Sequence, residues 1–277
     1  MQQALSQAGV PAEAIQCSTG VRWEPSLERY ARKTVEGLEA LWSIEPDPVR
    51  HKKAVHHALG YLVRLYYDQT APQNLGVTVV RGLQYRDDQG RSRPVLLFRS
   101  AVTTRPSRQC PCFESLVHAG GVRHVVNLYG GSFPFGDMIE HEKRLAARLK
   151  VTYFDAGRVP ELEYRSLIED PRDYESNRRR AMTNLARLIR EQLLHPQGKP
   201  PGGNLYIHCG GGMHRSGMLF GVVQRCINRE PMDRIEADYK RHTGYLSARQ
   251  PGGYEPLNIR FIREFDCGLL PSPGPRP

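Results

Sequence analysis

The run His208-Cys209-Gly210-Gly211-Gly212-Met213-His214-Arg215-Ser216-Gly217 sets a thiol, three glycines, a guanidinium and a hydroxyl on one short turn. These are the parts needed to attack a phosphate through sulfur. Asn204-Leu205-Tyr206-Ile207 before it reads as a short buried strand that follows the loop-forming Pro200-Pro201-Gly202-Gly203. After it, Leu219, Val222, Val223, Cys226 and Ile227 recur at helical spacing. The turn therefore lies between a strand and a helix N-terminus, where unpaired backbone N–H groups and the helix dipole favour an anion. Glycines let the amides face inward with no Cβ in the way, which gives a phosphate cradle from Gly210, Gly211, Gly212, Met213, His214 and Arg215.

Within that cradle, the helix end and Arg215 both favour the thiolate form of Cys209, the nucleophilic form. Arg215 offers a planar fork that can hold two phosphoryl oxygens and stabilise charge spreading over them in the transition state. Ser216 can donate a hydrogen bond to the departing sulfur. His208 is expected to brace the loop through hydrogen bonding, not to act as a base. A nucleotide-binding P-loop is excluded, because it needs Gly-Lys-Ser/Thr where this chain has Arg215-Ser216.

The His-Cys-x5-Arg-Ser-Gly signature resembles that of the cysteine-dependent protein tyrosine phosphatase superfamily, in its dual-specificity-like branch. The end of the loop is similar to the Gly-Lys-His-Arg-Thr-Gly of plant and fungal atypical dual-specificity phosphatases, some of which act on inositol pyrophosphates. Met213 stands here where those carry lysine. The resemblance extends over roughly Gly76 to Cys267. It takes in Val95 to Ala101 and Gly120 to Leu128 as early strands, and Pro256-Leu257-Asn258 with Phe261 to Phe265 as the last loop and helix. It implies an α/β fold with a central, mostly parallel sheet flanked by helices. The activity it implies is metal-free and cofactor-free hydrolysis of a phosphate monoester through a phosphocysteine intermediate.

In that superfamily an aspartate about thirty residues before the cysteine protonates the leaving group. None sits there in this chain. The nearest candidates are Asp155, Asp170 and Asp173. Asp155 follows the strand pattern Val151 to Phe154 and so stands at a strand's C-terminal end, where α/β sheets place their sites. Asp170 begins Asp-Pro-Arg-Asp, an N-cap, N1 and N3 pattern for the helix carrying Ala181, Leu185, Leu188 and Ile189. A capping carboxylate is held ionised and is a poor acid. Asp155 is therefore the expected general acid, with Cys209, Arg215 and Ser216 as the other catalytic residues.

Around this site the elements read as follows. Val77, Val79 and Val95, Leu97 flank Asp87-Asp88-Gln89-Gly90 as a hairpin, and strands and helices then alternate up to the motif. Residues 1–75 form an N-terminal helical extension, in which Leu27 to Trp42 and Val55 to Tyr66 recur as two amphipathic helices. Residues 76–268 are the catalytic domain and 269–277 a flexible tail. His51, His56 and His57 lie on a basic stretch and read as solvated. The segment from Arg241 to Tyr254 reads as a loop beside the pocket.

The chain has 277 residues, 39% of them hydrophobic and 25% charged, an ordinary globular balance. No apolar run is long enough to span a bilayer, and Met1 to Leu5 show no secretory signal, so a cytoplasmic location is expected. Six cysteines could pair, but a thiolate nucleophile needs reducing surroundings and a disulfide framework is not expected. Cys110-Pro111-Cys112 lacks a second pair at metal-ligand spacing. The formal charge of +10 fits an anionic, phosphorylated substrate, and a peripheral anionic surface as a further partner. No nucleic-acid motif occurs. A phosphoprotein, phosphotyrosine first, is the expected substrate. Rival readings are an inositol phosphate or phosphoinositide phosphatase, a catalytically weak phosphate-binding interaction module, and a rhodanese-like sulfur carrier, which Arg215 and Ser216 disfavour.

Overall fold

The computed structural model describes residues 1–19, 36, 73–104, 109–131, 135–243 and 254–271. A short helix, α1 (Gln2–Gln7), leads in. The strands β1 (Gly76–Arg86) and β2 (Ser92–Ala101) form the expected antiparallel hairpin. Its turn is built by Asp87, whose carboxylate accepts the N–H groups of Gln89 and Arg91 at 3.0 and 2.9 Å. There follow α2 (Pro111–His118), β3 (Val122–Asn127), α3 (Gly136–Arg148), β4 (Thr152–Asp155), α4 (Tyr174–Leu188), β5 (Asn204–Cys209), α5 (Arg215–Val222), α6 (Met232–Thr243) and α7 (Tyr254–Glu264).

The described strands form one sheet of order β1-β2-β5-β3-β4. Every pairing except β1–β2 is parallel. The fold is thus α/β, a mixed and mostly parallel sheet flanked by helices. Both faces are covered, as a parallel sheet requires. Successive residues of one strand feed opposite cores. Leu97, Leu205 and Ile207 join residues of α4, α5 and α7, while Leu96, Phe98 and Tyr206 join α1, α2 and the end of α3. The central strand, β5, is buried along its whole length and delivers Cys209 at its C-terminal end.

The amphipathic stretches Leu27 to Trp42, apart from residue 36, and Val55 to Tyr66, the histidines 51, 56 and 57, and most of the loop expected beside the pocket lie outside the described residues. Two expectations change. The helix that the Asp-Pro-Arg-Asp pattern places at Asp170 begins at Tyr174, with Asp173 at its N-cap. Asp170 is spent locally instead, accepting the Arg172 N–H at 2.9 Å and pairing with its guanidinium. At the other end of the chain, Leu270 is buried in the main core, so the first residues of the expected tail are packed.

The larger correction concerns cysteine. Cys17 is bonded to Cys112 and Cys226 to Cys267, across 95 and 41 residues. The argument from a thiolate nucleophile to an all-thiol chain fails, because Cys209 stands outside both bridges. Each bridge closes a long loop and removes freedom from the unfolded chain. The first ties the segment after α1 to the buried face of α2; the second ties the end of α5's continuation to the segment after α7. Among the described residues no helix is long and apolar enough to cross a membrane.

Candidate active site

β5 ends at Cys209 and α5 begins at Arg215, so the turn between them stands at the strand-to-helix junction that its sequence predicts. Its carbonyls are held from outside. Val102 N–H donates to the carbonyls of Cys209 and Gly210 at 3.0 and 3.2 Å. The amide of Asn74 donates to those of Gly211 and Gly212 at 3.2 and 3.3 Å, and Arg99 reaches Gly212 O at 3.2 Å. In a trans peptide the N–H points opposite to its carbonyl. Each carbonyl held outward therefore turns the next N–H, from Gly210 to Met213, toward the concave side.

Gly212 is indispensable to this path. Its φ is +66°, and a Cβ there would lie 2.4 Å from the backbone nitrogen of Ala101. Ser216 Oγ lies 3.4 Å from Cys209 Sγ, within reach to donate to the sulfur. Met213 turns its side chain into the interior. His214 is half-buried beside Asn258 and Tyr239, at 3.3 and 3.5 Å. Burial, then the cations of Arg165 and Arg215, lower its pKa to about 3, so it is neutral at physiological pH.

Two residues on which the loop depends escaped the sequence reading. Arg99, fully buried under the loop, stacks its guanidinium 5.3 Å over the Phe220 ring. Burial lowers its pKa to about 10, against the pull of Asp238, Tyr239 and Cys209. It remains a cation, the second near the sulfur. Asn74 is also fully buried, and its carbonyl oxygen contacts His242 Nδ1 at 2.7 Å. An arginine directly after the apolar run Val95 to Phe98 was a signal for the first; nothing local marks the second.

His208 points to the other face of the sheet. Its Nε2 lies 2.5 Å from Glu142 Oε1, both side chains are fully buried, and the ring stacks on Tyr206. The contact ties β5 to α3, and among the described residues neither ring nitrogen makes the hydrogen bond to the loop expected of it.

The carboxylates near the turn are held in different ways. Asp155 does close β4, in register with Asn127. It pairs with Lys143 at 2.6 Å and Arg158 at 3.4 Å, and accepts from Asn127 at 2.8 Å. Hydrogen bonds from Arg172 hold Asp170 at about 2. Among the described residues the carboxylate paired with the loop is Glu163, whose Oε2 lies 3.4 Å from Arg215 Nη2. It sits on an irregular run of three short 3-10 turns between β4 and α4. Tyr164, buried beside it, donates to the Arg215 carbonyl at 2.7 Å and ties that run to the start of α5.

Among the described residues no group of three or more His, Cys, Asp or Glu could hold a metal ion. Neither a family model nor a curated protein matches the chain. Solved structures do. The core catalytic domain of the PP-IP phosphatase Siw14 from S. cerevisiae, in complex with citrate, is 17% identical over 61% of this chain and 80% of that one, with a TM-score of 0.39. A second structure of the Siw14 catalytic core is 16% identical over the same shares, at 0.38. TpbA from P. aeruginosa is 17% identical over 68% of this chain and 94% of that one, at 0.30.

Proposed function

We propose that the chain is a phosphatase that hydrolyses phosphate monoesters through a phosphocysteine at Cys209, without a metal. The observation that carries this reading is the concave turn from Cys209 to Arg215, with its carbonyls held outward, its N–H groups turned inward and Ser216 beside the sulfur. Cys209 attacks phosphorus as the ester oxygen leaves. The inward N–H groups of Gly210 to Met213 and the Arg215 fork carry the charge of the equatorial oxygens. Ser216 donates to the sulfur when water releases the phosphate.

A phosphoprotein, phosphotyrosine first, is the proposed substrate. The cleft that Glu163 lines, about 720 Å³ and bordered also by Gly130, Gly157, Val159, Pro160 and Leu167, gives an aromatic ring largely apolar walls. Arg158 on the same wall favours a second reading, an inositol phosphate carrying further anionic groups. Turnover of aryl phosphate by the wild type, lost by at least about a thousandfold in Cys209→Ser, tests the reaction. Unchanged turnover in that variant would leave only a phosphate-binding module or a different nucleophile. Parallel assays on phosphotyrosine peptides and inositol polyphosphates then separate the two substrate classes.

A further inference from the structure

We propose that Glu163 protonates the leaving oxygen, and that the substrate's own phosphate switches it into this role by taking Arg215 away from it. The proposal rests on the phosphatase reading above.

Glu163 is placed from several sides. Its Oε1 accepts the N–H groups of Arg165 and Ser166 at 2.8 and 2.9 Å. Its backbone carbonyl accepts from Asn184 of α4 at 2.6 Å. Its Oε2 is left to Arg215 and to the cleft that it helps to line. The charged and titratable groups around it are Arg215 and His214 at the start of α5, Tyr164, Arg165 and Glu169 on its own segment, and Arg158 across the cleft.

With Arg215 beside it the balance favours the carboxylate. Burial raises its pKa, but the Arg215 charge and the Ser166 and Arg165 N–H bonds outweigh that and bring it below the ordinary 4.5. A phosphate dianion in the cradle claims both arms of the Arg215 fork. Burial and the two N–H bonds to Oε1 then stay, the strongest counter-charge is spent, and two negative charges stand beside Oε2, so that oxygen binds a proton from solvent. As the S–P bond forms and the P–O bond breaks, that proton passes to the ester oxygen, leaving alcohol or phenol, phosphocysteine and the Glu163 carboxylate. The carboxylate next takes a proton from the attacking water, the S–P bond breaks, and inorganic phosphate, thiolate and protonated Glu163 result. Asp155 has no such switch: Lys143 and Asn127 hold it whether or not the cradle is filled.

Glu163→Gln tests this against Asp155→Asn. With phenyl phosphate, a poor leaving group, kcat should fall by roughly 10²–10⁴. With 2,4-dinitrophenyl phosphate, which needs no proton, the loss should stay under about tenfold, and the alkaline limb of the pH profile should disappear. Sulfate, a dianion that does not titrate, should bind Glu163→Gln more tightly than wild type, since its competitor for Arg215 is gone. Calorimetry in buffers of different ionisation enthalpy should find proton uptake on sulfate binding in the wild type only. Equal losses on both esters, weaker sulfate binding, or uptake that survives in Glu163→Gln would overturn the proposal, as would Asp155→Asn reproducing the leaving-group split. Failure of the underlying reading shows separately, as turnover that survives Cys209→Ser.

Discussion

The turn from Cys209 to Arg215 and the run from Ala156 to Asp173 face each other across Arg215, and they are built in opposite ways. The turn hangs between a buried strand and a buried helix, and its carbonyls are held by Asn74, Arg99 and Val102, all interior. The facing run is three separate 3-10 turns that Ala156, Leu162, Tyr164 and Ile168 anchor in the main core, with hydrogen bonds from Tyr164 to Arg215 and from Asn184 to Glu163. A preorganised anion site must not relax when charge develops in it. A proton donor must do the reverse, changing state as substrate arrives, and Glu163 Oε2, paired with Arg215 and not with a backbone N–H, is the atom placed to do so. The difference in construction matches a difference in duty.

The sharpest way to break the contrast is Gly212→Ala. The substitution forces a side chain into a φ of +66° and against the backbone of Ser100 and Ala101. Strain and overpacking together should cost more than about 3 kcal/mol, read from denaturant midpoints, and abolish sulfate binding. A stable variant that still binds sulfate would show the turn to be pliable. Asn74→Ala should do less. It frees the carbonyls of Gly211 and His242, leaves that of Gly212 to Arg99, and leaves His242 without its Asn74 contact, for roughly 1–3 kcal/mol. If it weakened only stability and left sulfate affinity untouched, the outward hold on the carbonyls would not be what shapes the cradle.

The same contrast governs what could be read from the sequence. The nucleophile, the glycines, the guanidinium and the hydroxyl fall within ten consecutive residues, so one window held most of the chemistry. Strand alternation in Val77 to Leu97 and helical spacing after Gly217 likewise needed only neighbours. Asn74 and Arg99 act on residues more than a hundred positions away, and such contacts leave no local trace. Glu163 was hidden by a different cause: Leu162, Tyr164 and Ile168 are buried from short turns without a helical or strand period, and a search for aspartate at a fixed spacing passed over a glutamate. The bridges Cys17–Cys112 and Cys226–Cys267 were missed because compartment was argued from one cysteine to all six.

Two carboxylates of the facing run give the smallest effects and a clean comparison. Glu163 and Asp170 both have lowered pKa values, so each stabilises the folded chain above its unfolded pKa, and that contribution is lost as pH falls through the folded one. For Glu163 the window opens downward from about 4.5; for Asp170 it runs from about 3.8 to about 2. Glu163 is mostly covered and its partner Arg215 is too, whereas Arg172 lies almost wholly in water. Screening by salt should therefore separate them. Denaturant titrations of Glu163→Gln against wild type should show a stability gap that is flat above pH 6, narrows below pH 4.5, and persists in high salt. The gap for Asp170→Asn should be small at low salt and vanish at high salt. If the Glu163 gap also vanished with salt, the ion pair would be a surface contact with no hold on Arg215, and substrate would have nothing to displace.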